Sequence, residues 1–199
     1  MLNRLEYSNF TTSQGLAKTL RKTGWILFWL QLGLGVVSAA ILTFAIADPN
    51  FNLKTTNPMS GAGLFFAVGG LFLLAIGLYS AFSYVRLANE SKELGGIGHQ
   101  KSEVIKVFWR GLFINAVGSI LTLLGIEFVV GTLIAKSLTQ VEGMAIYNST
   151  QLIEPLDLLV VQANVNTIVA QSIGILFAAW SIGRIGRHQP HEKDSKTKK

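Results

Sequence analysis

No cysteine occurs in the chain, which removes disulfides, thiolate metal sites and thiol catalysis. Charge is scarce as well: Asp, Glu, Lys and Arg make up 14% of the 199 residues, against roughly 25% in soluble domains. The scarcity is uneven. Four windows, residues 24–47, 61–85, 111–135 and 158–183, are almost free of ionisable side chains, and no histidine lies in any of them. Nucleophile and base pairs, paired carboxylates and cofactor motifs are also missing, so the chain is expected to be neither an enzyme nor a cofactor carrier. The run Gly95-Gly96-Ile97-Gly98 lacks the preceding strand and following Lys-Ser/Thr of a phosphate-cradling loop. It reads as a hinge between two helix extensions, the second starting near Ser102, and no nucleic-acid partner is expected.

Half of the residues are hydrophobic, concentrated in those four windows of 24 to 26 residues each. At about 1.5 Å per helical residue, each window is long enough to cross a hydrocarbon core about 30 Å thick with some tilt. The expected fold is therefore all-α: one membrane domain of four transmembrane helices, with the lipid bilayer as its main partner. The first window ends in Ala45-Ile46-Ala47, which resembles a signal-peptidase site. Its apolar run exceeds the 7 to 15 residues of a signal-peptide core, so it is expected to remain as a helix.

Lys and Arg number four in residues 1–23, one in 48–60, five in 86–110, one in 136–157 and six in 184–199. Basic residues are retained on the cytoplasmic side during insertion. The alternation therefore predicts cytoplasmic N- and C-termini and a cytoplasmic middle loop. Trp25, Trp29, Tyr84, Trp109 and Trp180 fall at the same predicted interface, where aromatic rings with one polar edge are favoured. Asp48-Pro49-Asn50 and Asn57-Pro58 are turn signals between the first two spans. The last stretch, 184–199, with His188 and His191 among lysines, reads as a basic, disordered tail near anionic lipid.

Glycines and small residues recur on the spans, which suits close helix packing in a bilayer. The polar residues inside the windows are the candidate functional set. Glu127 is the one ionisable group. Asn115, Ser119 and Thr122 share a face of the third span. Gln162 and Asn166 lie on one side of the fourth span, and Asn164 and Gln171 on nearly the opposite side. Stepping 100° per residue puts Glu127 roughly 120° from Asn115, turned toward the fourth span and level with Asn166, its expected partner. Two readings stay open: interhelical hydrogen bonding, or an ion or proton pathway through Glu127, Asn115, Gln162, Asn164, Asn166 and Gln171. A fourth span polar on two sides predicts a homo-oligomer or a complex with other membrane proteins.

The stretches FWLQLGLGVVSAAILTFA (28–45), LTLLGIEFVVGTLIAKSL (121–138) and LDLLVVQANVNT (156–167) resemble a family shared by chloroplasts and cyanobacteria. Its chloroplast member is described both as a twenty-one-kilodalton component of the inner-envelope protein translocon and as an iron permease. The resemblance implies a cyanobacterial inner (plasma) membrane protein, with the thylakoid as the other location. Two roles follow: a permease acting in iron or other metal-ion transport or homeostasis, with the cation as partner, or a structural subunit of a protein-translocation or membrane-assembly complex. Glu127 departs from the family pattern, which has a neutral amide there.

Overall fold

The structure, a computed structural model, describes residues 2–47, 58–93, 101–141 and 155–187. Four helices account for them: α1 (Leu2–Ala47), α2 (Pro58–Glu93), α3 (Lys101–Val141) and α4 (Pro155–Arg187). Each contains a stretch long and apolar enough to cross a membrane. The helices outrun the apolar windows, because nothing in the polar flanks forces a helix to stop where hydrophobicity does. Pro58 and Pro155 stand at the first positions of α2 and α4, where a missing N–H costs nothing. Residues 48–57, 94–100, 142–154 and 188–199, with the glycine run 95–98 and both tail histidines, lie outside the described residues, as does the side chain of Tyr84; residues 184–187, expected in the disordered tail, instead belong to α4.

Cross-helix contacts run in opposite chain directions around a ring. Gly35 meets Leu74 on α2, Gly77 meets Asn115 on α3, Thr122 meets Gln171 on α4, and Gln31 bonds back from α1 to Ala170. The result is an up-down-up-down bundle in the order α1, α2, α3, α4. Consequently α1 starts and α4 finishes at one end, here called the terminal end. Trp25, Trp29, Trp109 and Trp180 cluster there on the outer surface, with Arg184 over the Trp180 ring at 5.4 Å. That agrees with a shared aromatic belt.

The buried positions of α3 are Val104, Phe108, Gly111, Asn115, Gly118, Thr122, Gly125 and Val129. Their spacing alternates between four and three, the 3.5-residue repeat of helices that supercoil around one another. Two apolar clusters close the ends of the bundle. Ala81, Phe108, Phe177 and Ile185 belong to the terminal end, and Leu42, Ala67, Val129 and Val160 to the other. Only 22% to 33% of the most apolar window of each span is buried, so most of the apolar surface faces outward, as a bilayer requires.

Candidate functional site

Between the end clusters the interior is polar, and glycine is what makes room for it. A Cβ on Gly77 would stand 2.8 Å from Asn115 Oδ1, and one on Gly174 would stand 2.9 Å from the Asn115 side chain. Asn115, Asn164, Gln171, Thr122, Thr167, Gln31 and Ser38 are all nearly or fully buried. Four of them turn back on their own helix. Asn115 Nδ2 donates to Gly111 O (2.8 Å), Thr122 Oγ1 to Gly118 O (2.9 Å), Asn164 Nδ2 to Val160 O (2.9 Å) and Thr167 Oγ1 to Ala163 O (2.9 Å). Three cross between helices: Gln31 Nε2 to Ala170 O (2.8 Å), Ser38 Oγ to Ala163 O (2.8 Å) and Gln171 Nε2 to Gly70 O (2.9 Å). These bonds tie α4 to α1 and, across the bundle, to α2.

Among the described residues, the buried side-chain oxygens without a hydrogen-bond partner are Asn115 Oδ1, Ser119 Oγ, Asn164 Oδ1 and Ser181 Oγ. Asn164 is seven residues from Gln171 in one direction and Ser181 ten in the other, about 10 and 15 Å along the axis. They are strung out and do not converge on one ion. Among the described residues no three His, Cys, Asp or Glu side chains come together.

The six polar candidates therefore divide in two. Asn115, Asn164 and Gln171 face the interior. Gln162 and Glu127 are exposed on the lateral surface and Asn166 is half-buried there. Gln162 Nε2 donates to Asn166 Oδ1 at 3.0 Å, so the amide expected to meet Glu127 bonds to its own helix. No hydrogen bond or ion pair of Glu127 is found among the described residues. The expectation that it turns toward the fourth span is thus corrected, and the reason lies in the supercoil. At 3.5 residues per turn the step from Asn115 to Glu127 sweeps about 154° instead of 120°, which carries Glu127 past the flank to the back of α3.

Sequence reasoning missed Gln31 as an interior bonding residue. The signal was present: Gly24, Gln31, Ser38 and Ala45 recur every seven residues and all are buried. Lys136 and Asp157 lie just outside the third and fourth apolar windows. Both lie in helices, and their ion pair (2.7 Å) joins α3 to α4 at the end opposite the termini.

Comparison with known proteins places these features in a family. Residues 11–186 match the family model described as "Protein of unknown function (DUF3611)". The chain is similar to the protein TIC 21, chloroplastic, of Arabidopsis thaliana, with 30% identity over 174 residues covering 81% of this chain. It spans 57% of that relative's length. No solved structure matches.

Proposed function

The chain belongs to the DUF3611 family, and on that premise we propose that it is a non-catalytic subunit of a multi-pass membrane assembly, acting through its lateral polar residues. The observation that supports this reading is the division of the polar set. The interior amides donate to backbone carbonyls inside the bundle, Asn115 and Asn164 to their own helix and Gln31 and Gln171 to another, each interhelical bond contributing about 0.6 to 2 kcal/mol. Among the described residues Glu127, Gln162 and Asn166 make no bond between helices. Left to lipid, a carboxyl near mid-span costs about 3 kcal/mol on insertion scales, so a protein neighbour is the economical solution. Of the two roles that the resemblance attaches to the family, a translocation or membrane-assembly subunit needs docking faces of this kind.

A second reading is a metal-ion permease. The same three side chains supply a carboxylate and amide oxygens, which suit hard cations and iron moderately, and a path at a junction between protomers reconciles small size with transport. Purified protein in liposomes separates the two. The subunit reading expects no iron(II) flux with or without a membrane potential, and a stable membrane partner after gentle solubilisation. Potential-driven flux by the purified chain alone would establish the permease instead.

The reading places both termini and the middle loop in the cytoplasm of a bacterial plasma membrane, on the strength of the Lys and Arg alternation. Reporter enzymes fused after Pro58 and Tyr147 are expected to be active only outside the cytoplasm, and fusions after Gln100 and Lys199 only inside. Opposite signals at any two positions would reverse the orientation.

A further inference from the structure

The back of α3 is an apolar stripe interrupted once. Phe113, Ile120, Leu123, Leu124, Ile134 and Leu138 are exposed along it, and Glu127 stands among them, also exposed. The carboxyl has no easy route to water. Lys136, at the charged end of α3, is nine residues away, about 13 Å along the helix and beyond the reach of a glutamate side chain.

Depth is fixed by two contacts between α3 and α4. Glu127 lies nine residues from Lys136 and Asn166 nine from Asp157, its ion-pair partner. Glu127 also lies five residues from Thr122 and Asn166 five from Gln171, which Thr122 contacts. Both counts put Glu127 and Asn166 at one level. Gln162, one turn from Asn166, is bonded to it and equally outward. That bond uses one N–H of Gln162 and one oxygen of Asn166, leaving Asn166 Nδ2 to donate and Gln162 Oε1 to accept. A carboxyl needs the same two complements.

We infer that the outward face of α3 docks onto α4 of a second copy of this chain, where the Glu127 carboxyl meets the amides of Gln162 and Asn166. All copies of a chain insert with one orientation, so residues at one level in a protomer stay level between parallel neighbours. The chain thus carries both halves of the contact at matching depth. The inference rests on the lateral surface being a docking face, as proposed above, and goes further by naming the occupant.

The natural absence of cysteine makes the test direct. Leu124 and Val169 are exposed neighbours of the two halves, and each lies three residues from Glu127 or Asn166 on the side toward the terminal end, so they share a level too. Leu124→Cys and Val169→Cys, made in separately tagged full-length chains, are co-expressed and oxidised in native membranes. A disulfide between the two tags is expected. Glu127→Ala in both chains should lower its yield about 3- to 30-fold, the range for an interhelical hydrogen bond in a bilayer, whereas Glu127→Gln, which keeps a donor and an acceptor, should restore most of it. Thermal unfolding of each solubilised variant identifies any that has merely lost its fold. No adduct between tags, with Leu124→Cys crosslinking to a different protein, overturns the second-copy inference and leaves the docking reading standing. No adduct of any kind overturns both. An adduct whose yield ignores Glu127→Ala in folded protein removes Glu127 from the contact and overturns the inference as stated.

Discussion

Gly125→Leu is expected to leave no folded, monodisperse protein after solubilisation, while Gly33→Leu behaves like the parent chain. The difference is what a side chain would strike. A Cβ at position 125 would lie 3.0 Å from the backbone nitrogen of Ala67 and 3.2 Å from the carbonyl oxygen of Gly63. Backbone cannot rotate away, so the remaining carbons of leucine must push α2 and α3 apart along their most intimate contact. Overpacking of a rigid interface costs about 1 to 3 kcal/mol, and separating these helices also forfeits packing that lipid does not replace by any hydrophobic gain. At Gly33 nothing lies within 4 Å and the position is exposed. Size-exclusion profiles and thermal unfolding of the two variants side by side make the comparison. A well-folded Gly125→Leu protein would mean that α2 and α3 do not approach as described.

Gln171→Ala is the second large effect, with an expected loss of about 2 to 4 kcal/mol from one interior hydrogen bond and the cavity left behind. Gln171 is fully buried, donates to Gly70 O and contacts Thr122. Gln162→Ala, on the outer surface, should change the stability of an isolated protomer by about 0.5 kcal/mol or less. Gln171→Met fills nearly the same volume without the amide and should recover part of the loss. It also decides the role of the interior: if the amide is only glue, a stable Gln171→Met protein keeps whatever activity the parent has. A stable protein with abolished activity would turn the interior into a pathway.

The fold was legible because a bilayer imposes long apolar runs, and 24 to 26 residues with almost no charge leave few alternatives. That α4 has two polar sides was legible, since Asn164 and Gln171 stand almost opposite Gln162 and Asn166 on any helical wheel, but which side faces the bundle was not: Asn166 was expected to meet Glu127, whereas it and Gln162 turn outward and Asn164 and Gln171 are buried. Glu127 was misplaced because its direction was carried over twelve residues from Asn115 with the period of a straight helix. A small error per residue becomes a change of face over three turns. Gln31 escaped notice for a different reason. Its bond is to the backbone carbonyl of Ala170, and a carbonyl has no identity in the sequence, so no complementary side chain existed to be found. The ends of the helices were set too short because hydrophobicity marks the width of the membrane and says nothing about where the backbone ceases to be helical.

The division between side chains that bond within their own helix and those that reach another has a bearing on how the protein is made. Asn115, Thr122, Asn164 and Thr167 have a backbone acceptor as soon as their own turn exists, so each segment can leave the ribosome and enter lipid with these donors already satisfied. Gln31 and Ser38 are different. Their acceptors, Ala170 O and Ala163 O, belong to the helix translated last, whereas Gln171 on that helix finds its acceptor, Gly70 O, already made. During synthesis the first segment must therefore remain in the bilayer, or in the care of an insertase, with Gln31 and Ser38 still without these partners. The arrival of α4 acts as the keystone, and quality control by membrane proteases has its opportunity in the interval before it comes.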